Sequence, residues 1–321
     1  MKKKILLLSG DPNSINSELI FKTWKKLNKT TRKKIYLISN FSLMKAQFKK
    51  LRYPIKIIKI KNLDDEVRGN FLKIINVDIL FKNSLDVPLN SRSKFVIKSL
   101  NVAHQLALRK EVKGIINCAI DKKLLKKNGF GVTEYLATKC KIKNNKEVML
   151  IKNKKLAIAP ITTHINVKQI SKNISVKKIV NKTKIIEKWY KDIFSFKPKI
   201  GILGLNPHNA ELRKNSEEVK IVIPAIKKLK KSGIKVSGPL VSDTLFISNY
   251  KNFDVVIGMF HDQVLAPFKA LFKFNAINIT LGLKYLRVSP DHGTATNMIG
   301  KNKSNPESLF ECINFVNKFG K

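Results

Sequence analysis

Three histidines follow short apolar runs that have the length of buried strands. "LAIAPITTH" ends at His164, "KIGILGLNPH" ends at His208 and "DVVIGMFH" ends at His261. Neutral imidazole is the commonest protein ligand for borderline divalent metals, and three protein ligands leave coordination positions open for substrate or water. The pattern therefore predicts a catalytic metal site. The alternative is three ordinary loop histidines, since the spacing does not match a metal-binding helix motif.

Charged residues accompany the third histidine. Asp262 follows His261 directly, Lys269 lies further along the same segment, and Asp243 lies in the nearby string "SDT". A carboxylate beside a metal-binding imidazole can orient the ring or transfer a proton. Asp262 and Asp243 are candidates for both roles, and the sequence does not choose between them. Asp243 has a further alternative, because aspartate is also a preferred cap at the start of a helix.

Two other histidines have different surroundings. His292 lies in "SPDHGTATNMIG", whose small and polar residues predict a tight loop with exposed backbone N–H groups, suited to a phosphate or a nucleotide. The alternative is an ordinary polar turn, and the dinucleotide fingerprint GxGxxG is absent from the sequence. His104 lies inside a predicted helix over 92–110, where a packed or surface role is expected rather than a metal ligand.

The elements that must position these residues alternate along the chain. Short apolar runs predict strands at "KKILLLSG", "KKIYLIS", "YPIKIIKI", "VKGIINCAI", "VMLIKN", "LAIAPI", "KIGILGL", "FDVVIGMF" and "FNAINITLG". Amphipathic stretches predict helices at "NSELIFKTWKKLNK", over 92–110 and 167–192, at "SEEVKIVIPAIKKLKKSG" and at "PESLFECINFVNKF". Such alternation is typical of an α/β fold with a largely parallel sheet. Ligands gather beyond the carboxyl ends of such strands, so distant histidines can converge there.

The length of 321 residues is enough for one large domain or two ordinary ones. Gly and Asn interrupt the pattern at Lys127–Gly131, which predicts a boundary there, and "VSPDHGT" is a second place where the chain could return to the first domain.

Apolar runs are too short to cross a bilayer, and "MKKKILLLSGDP" is predicted to form a first strand. Cys118, Cys140 and Cys312 form no CxxC pair, which predicts reduced core thiols in a cytoplasmic protein.

The net charge of +42 predicts attraction for anions. Only seven of the 64 basic residues are Arg, and the lysines are spread over the whole chain. A sequence-specific reader of DNA usually relies on Arg for bidentate base contacts, and no zinc finger, RNP motif or heptad array is present. The charge therefore favours a solvated lysine-rich surface that attracts small anionic substrates. Nucleic-acid binding is the distant alternative.

Together the motifs resemble one enzyme family. The matching strings are "SGDPNSINSEL", "GVTEYLA", "TTHI", "GLNPHNAE", "SEE", "GPLVSDTLF", "FDVVIGMFHDQVLAPFK", "INITLGLKYLRVSPDHGTA" and "IG". They run in the same order from Ser9 to Gly300. The chain resembles the 4-hydroxythreonine-4-phosphate dehydrogenase family, whose members are NAD-dependent enzymes of vitamin B6 biosynthesis.

The resemblance implies an architecture and a set of cofactor ligands. It implies two α/β/α domains like those of isocitrate and isopropylmalate dehydrogenases, the first formed by 1–128 with 290–321 and the second by 129–289. It also implies a homodimer with active sites in the interdomain cleft near the subunit interface. The implied ligands of a divalent metal, typically zinc with magnesium or cobalt as alternatives, are His164, His208 and His261. The NAD-binding loop would contain His292, Gly293 and Thr294.

The resemblance also implies the reaction. The secondary hydroxyl of 4-phosphohydroxy-L-threonine would lose a hydride to NAD, and decarboxylation would then give 3-amino-2-oxopropyl phosphate. The implied substrate contacts are Thr133, Lys269, Asn278 and Arg287. Lys269 and Arg287 would supply cations for phosphate or carboxylate, Lys as a point charge and Arg as a planar fork.

The chain departs from the family pattern around the substrate and the loops. Val132 stands where the family usually has a histidine, and Val264 stands where it has a glycine. The loop after "SGDP" lacks two family glycines, and the segment after "NPH" lacks a glycine-rich run. None of these changes affects an implied metal ligand. Compensated drift is one explanation; the others are a sister dehydrogenase for another phosphorylated hydroxy acid, such as a four-carbon sugar-acid phosphate, and a weakened paralogue.

Overall fold

The structure is a computed structural model, and it describes residues 3–109, 111–128, 131–142, 147–273 and 275–320. The chain divides into two compact units, the first formed by Met1–Ile142 with Leu283–Lys321 and the second by Lys143–Gly282. The boundary expected at Lys127–Gly131 includes residues 129 and 130, which lie outside the described residues. The domain limits implied by the family resemblance stay a prediction.

The first unit is built on parallel strands. They are β1 (Lys4–Leu8), β2 (Ile35–Ser39), β3 (Ile57–Ile60), β4 (Leu72–Asn76), β5 (Val112–Asn117) and, late in the chain, β12 (Arg287–Pro290). Their order across the sheet is β3-β4-β2-β1-β5-β12, and every neighbouring pair is parallel. Every residue of β1 and β2 is buried, which is why their sequences are continuous apolar runs rather than alternating ones.

Helices cover the strands of the first unit. They are α1 (Asn16–Lys26), α2 (Lys29–Arg32), α3 (Phe41–Lys50), α4 (Leu89–Ala107), α5 (Val132–Lys139) and α11 (Glu307–Phe319), with 3₁₀ turns at Lys122–Asn128 and Thr296–Met298. Asn28 and Asn40 cap α2 and α3, because each side chain accepts a backbone N–H in the first turn. From α4, Phe95 and Leu100 pack into the core against Leu6 of β1.

The second unit has a mixed sheet. Its strands are β6 (Val148–Lys152), β7 (Ala157–Pro160), β8 (Ile200–Leu203), β9 (Val236–Leu240), β10 (Val255–Gly258) and β11 (Ile277–Leu281). They lie in the order β11-β6-β7-β10-β8-β9. The pairs β11–β6 and β6–β7 are antiparallel, whereas β7, β10, β8 and β9 run parallel to one another.

The helices of the second unit include the segment that carries the third histidine. They are α6 (Ile170–Asn173), α7 (Val176–Phe194), α8 (Ile223–Lys231), α9 (Ser242–Leu245) and α10 (His261–Phe272), with 3₁₀ turns at Val167–Gln169 and Asn249–Asn252, an irregular segment at Pro207–Leu212 and a π-helical turn at Glu218–Val222. Val264, Leu265 and Phe268 form the buried face of α10 and pack with Val256 of β10.

The predicted α/β class is confirmed, and the differences lie in single elements. The structure adds β4, β9 and β12, which the apolar runs did not indicate. Lys73 interrupts β4 and Pro239 interrupts β9, which is an edge strand of its unit, where proline is tolerated. The helix predicted over 167–192 is divided, because Ser175 starts a new helix by accepting the backbone N–H of Lys178. Helix α10 was not predicted, since Pro267 usually ends a helix.

Cys118, Cys140 and Cys312 are free and buried, as expected for core thiols. Burial raises the pKa of Cys118, so this thiol stays protonated. Within the described ranges, no helix combines the length and the apolar character needed to cross a membrane.

Candidate active site

The three strand-end histidines follow three neighbouring parallel strands of the second unit. β10 pairs with β7 on one side and with β8 on the other, and the chain reaches His261, His164 and His208 within a few residues of their respective ends. Neighbouring strands lie about 4.8 Å apart, so the three strand ends fall within about 10 Å of one another. The fold therefore brings the three segments to one edge of the sheet, as the sequence pattern predicted.

His164 and His261 are in contact across that edge. Their ring centroids lie 5.6 Å apart with an angle of 40° between the ring planes. Both rings line a cavity of about 220 Å³, together with Thr163 and Phe260. Two imidazoles bound to one tetrahedral ion would have centroids about 5 Å apart, given the usual metal–nitrogen distance. The separation of the two rings is therefore close to that of two imidazoles bound to one divalent ion.

Asp262 contacts the neighbouring imidazole. Its Oδ1 lies 2.8 Å from Nδ1 of His261, which leaves Nε2 of the ring as the nitrogen that can bind a ligand. Asp243 is exposed in the first turn of α9. Helix α9 begins after Val241, so the alternative of Asp243 as its cap is wrong. Lys269 is half-buried on α10, about 12 Å along the helix axis from His261.

His208 begins a left-handed turn. From His208 to Leu212 every φ lies between 43° and 55°, and none of these residues is glycine. This region costs roughly 1–2 kcal/mol for most L-residues, so neighbouring structure must enforce it. The segment that lacks the glycine-rich run of the family begins with this turn. Its backbone shape is one that glycine adopts without strain, and here other contacts must maintain it.

Glu218 provides such contacts for the residues that precede His208. Its carboxylate is fully buried and accepts the backbone N–H of Leu205 at 2.7 Å and of Asn206 at 2.8 Å. Burial raises the pKa of Glu218, but the hydrogen bonds from Asn206 and Leu205 outweigh that effect and the pKa is lowered. Glu217 accepts a further hydrogen bond from the Asn206 side chain at 2.9 Å. The two glutamates thus hold the start of the "NPH" segment.

Gln263 connects the strand ends to one another. Its Oε1 accepts the backbone N–H of Met259, just after β10, at 2.7 Å. Its Nε2 donates to the carbonyl of Gly204, just after β8, and to the hydroxyl of Ser242 at the start of α9, both at 2.7 Å. One side chain therefore fixes the segments that lead to His208, His261 and Asp243.

Asn278 lies inside a strand of the second unit's sheet. It is the second residue of β11 and is in register with Ile151 of β6, which in turn pairs with Ile158 inside β7. Its Oδ1 is buried and lacks a hydrogen-bond partner among the residues that the structure describes. Asn278 therefore lies two strands from β7, at the level of Ile158 and two residues before the end of that strand.

Arg287 and Thr133 meet in the first unit. Nε of Arg287 donates to Oδ1 of Asn117 at 2.7 Å, and Nη1 donates to Oγ1 of Thr133 at 3.2 Å. Arg287 is only 3% exposed, and burial lowers its pKa to about 10, against the opposing influence of Cys312, Glu134 and Tyr285. These hydrogen bonds hold the guanidinium beside Asn117 and Thr133.

The loop expected to bind NAD follows β12. His292 Nδ1 lies 2.9 Å from the carbonyl of Gly293, and the carbonyl of Thr294 accepts the backbone N–H of Ile15 at 3.1 Å. Space beside Gly293 is open, since an added Cβ there would meet nothing within 4 Å. The backbone of Gly293 is therefore open to approach on the side where a Cβ would lie.

Polar side chains replace the missing glycines in the loop after β1. Asn13 exchanges two hydrogen bonds with the backbone of Val87, at 3.1 and 2.9 Å. Ser14 donates to the carbonyl of Asp11, and Asn16 donates to that of Ala119 at 2.8 Å. Between Asp11 and Ser17 no residue has a left-handed backbone, so this loop does not need glycine there.

Across the described ranges, no group of three or more His, Cys, Asp or Glu side chains is arranged to hold a metal. Of the three histidines expected to bind a metal, the structure brings His164 and His261 into contact, and His208 follows the neighbouring strand β8. Three residues that support the site were not predicted from the sequence: Glu218, Gln263 and Asn117. Glu218 lies in the string "SEE" and Gln263 follows His261 in "HDQ". Both strings belong to the family resemblance, but no role was predicted for these two side chains.

Comparison with known proteins identifies the family. The family model described as "Pyridoxal phosphate biosynthetic protein PdxA" matches residues 29–316. Two proteins named 4-hydroxythreonine-4-phosphate dehydrogenase are similar over nearly their whole length. One, from a Sulfurihydrogenibium species, is 38% identical and the match covers 97% of this chain and 96% of that protein. The other, from Aquifex aeolicus, is 37% identical with 98% of each chain covered.

A solved structure shares the fold. The crystal structure of 4-hydroxythreonine-4-phosphate dehydrogenase from Klebsiella pneumoniae superposes with a TM-score of 0.83 at 24% identity, covering 99% of each chain. The chain belongs to the family of the pyridoxal phosphate biosynthetic protein PdxA. This confirms the family predicted from the motifs, and with it the expectation of an oxidoreductase of vitamin B6 biosynthesis.

Proposed function

We propose that this protein oxidises the secondary hydroxyl of 4-phosphohydroxy-L-threonine with NAD and a divalent metal, and that the product loses carbon dioxide to give 3-amino-2-oxopropyl phosphate. The family and its named relatives support the substrate. The observation that carries the chemistry is the placement of three histidines beyond three adjacent parallel strands, two of them with rings 5.6 Å apart.

The residues that would hold the metal are His164, His208 and His261. A divalent ion at this position would polarise the substrate hydroxyl and favour loss of its proton near neutral pH. Asp262 orients His261 through its contact with Nδ1, so that Nε2 faces the ligand. Gln263 and Glu218 fix the strand-end segments, which limits the movement of the ligands.

Other side chains of the chain would bind and orient the substrate. Arg287 is fixed by Asn117 and Thr133, and it would present its fork to a phosphate or carboxylate. Lys269 would add a second cation, and Asn278 would contribute an amide. Asp243 would act in proton transfer because it is exposed at the start of α9, beside the segment that Gln263 holds.

The loop of His292, Gly293 and Thr294 would bind NAD. The open space beside Gly293 and the fixed backbone of Thr294 support that role. We also propose that the two compact units correspond to two α/β/α domains of the isocitrate dehydrogenase type, and that the protein is a cytoplasmic homodimer. Light scattering of the purified protein tests the dimer.

The decisive experiment measures NADH formation from 4-phosphohydroxy-L-threonine, with NAD and zinc or magnesium and with a chelator control. We expect metal-dependent turnover that falls roughly 100-fold or more in His164→Ala, His208→Ala and His261→Ala. His104→Ala is the matched control, because it removes an imidazole that lies on α4 of the first unit and is not a proposed metal ligand. Turnover that survives both chelation and the three substitutions would overturn the proposal.

Substrate choice has its own test at Val132. This residue starts α5 directly before Thr133 and packs half-buried against the apolar core of the first unit. Val132→His would restore the family residue, and we expect it to lower KM for 4-phosphohydroxy-L-threonine. A preference of the unmodified protein for a four-carbon sugar-acid phosphate, abolished by Val132→His, would instead support a sister activity.

A further inference from the structure

A second cavity lies in the first unit, far from its carboxyl-end loops. It has a volume of about 380 Å³ and is lined by the first residue of β1, the residues before β2 and the residues around the start of β4. It therefore opens at the amino ends of the parallel strands. The loop after β1 and the loop after β12 leave from the opposite ends, about 13 Å away along a five-residue strand. None of the residues assigned to the reaction lines this cavity.

The walls of the cavity are rich in cations. Six basic side chains and three acidic ones line it. Asp64 pairs with Lys4, one of the six cations, at 2.6 Å, and Asp65 accepts the backbone N–H of Lys61 at 2.7 Å. Five basic and two acidic side chains then remain. Arg68 and Lys33 are exposed at the rim. The balance of charge inside the cavity favours an anionic ligand.

Lys73 is a buried cation of this cavity. It is 7% exposed, its Nζ donates to the carbonyl of Lys33 at 2.6 Å, and the same atom lies 3.7 Å from the centroid of the Tyr36 ring. Burial, followed by the charge of Lys4, lowers the pKa of Lys73 to about 8. A carbonyl and a ring face compensate the charge only in part, so an anion beside Nζ would be stabilised.

Apolar residues complete the cavity. Leu63, Val67 and Phe71 line it together with the cations, and Leu63 is buried in the core. A volume of this size suits a small metabolite rather than a polymer, and the combination of an apolar wall with cations suits a small organic body with one anionic group.

We propose that this cavity is a second ligand site, which binds a phosphate monoester of a small organic molecule. Lys73 contacts the phosphate from the floor, and Arg68 and Lys33 approach it from the rim. Leu63, Val67 and Phe71 contact the organic part. The site is independent of the reaction proposed above, because it shares no residue with it.

Binding is tested by calorimetry with inorganic phosphate and with phenyl phosphate, at constant ionic strength set by chloride. We expect phenyl phosphate to bind more tightly, because the apolar wall contributes to it alone. Lys73→Met and Arg68→Gln should each weaken this binding roughly 10-fold, by loss of a charge-assisted contact. Lys45→Met, an exposed residue of α3, removes the same charge without touching the cavity and should leave affinity unchanged.

Phosphate bound at the catalytic site is distinguished by kinetics. KM for the phosphorylated substrate should stay the same in Lys73→Met and Arg68→Gln, while one of two binding events in the calorimetric titration moves to roughly 10-fold weaker affinity. Affinity at the second site should also fall as the pH rises above about 8, since Lys73 then loses its proton.

Equal affinity in all variants, or an equal loss in Lys45→Met, would show general attraction to a basic surface and overturn the proposal. Arg68→Gln keeps the test decisive if Lys73→Met fails to fold.

Discussion

Glu218 holds Asn206 by two separate contacts. Oε1 accepts the backbone N–H at 2.8 Å, and Oε2 accepts the side-chain amide at 3.0 Å. Asn206 lies two residues before His208, a proposed metal ligand. A buried carboxylate from the turn before α8 therefore fixes the backbone that leads to His208. Local sequence patterns do not predict this contact between Asn206 and Glu218.

We expect Glu218→Gln to destabilise the protein by about 2 kcal/mol, because a charged acceptor of two backbone N–H groups is lost. The pKa of Glu218 is lowered in the folded state, so its contribution is present above the ordinary glutamate pKa and disappears as the pH falls through the lowered value. Urea unfolding at neutral and acidic pH measures both effects. Glu66→Gln, at an exposed position, is the control. An equal loss in both variants would contradict a specific role for Glu218.

A glycine substitution in the left-handed turn should stabilise the protein rather than destabilise it. Glu211 is exposed and has a φ of 43°, which strains any residue with a Cβ. We expect Glu211→Gly to raise the free energy of unfolding by about 1 kcal/mol, whereas Glu211→Ala should leave it nearly unchanged. The two variants remove the same charged group, so their difference isolates the backbone conformation. Thermal and urea unfolding of the pair provide the measurement, and equal stabilities would argue against a left-handed turn.

Gln263 offers a test of how the strand ends are held. Gln263→Leu has a similar size but leaves the N–H of Met259 and the carbonyl of Gly204 without their partner. We expect a loss of about 2 kcal/mol in stability and a fall in kcat/KM with a smaller change in KM. Gln169→Leu, on an exposed turn, is the control. If Gln263→Leu lowers stability but leaves kcat normal, the role of Gln263 is structural only.

Lys73 predicts an unusual dependence of stability on pH. Its pKa of about 8 lies below the ordinary lysine value, so the folded state releases this proton before the unfolded state does. Stability contributed through Lys73 should therefore rise between about pH 8 and 10.5. We expect the unfolding free energy of the unmodified protein minus that of Lys73→Met to increase over this range. Lys45→Met should show no such trend, and a constant difference for Lys73→Met would contradict a buried, charged lysine.

Several parts of the site could be predicted from the sequence because they depend on local rules. Apolar runs of strand length placed His164, His208 and His261 at strand ends, and the order of motifs identified the family. The helix of His261 was missed, since Pro267 contradicts the local rule. The packing of Val264, Leu265 and Phe268 in the core depends on tertiary structure.

The amino-acid sequence by itself determined the α/β class, the family and the types of residue available for chemistry. Tertiary structure decided which strands became neighbours, because sheet order depends on long-range pairing that a local pattern does not encode. It also decided where buried polar groups such as Glu218 and Lys73 found their partners. A buried polar side chain must be compensated by whichever groups the fold brings beside it, and those groups are distant along the chain.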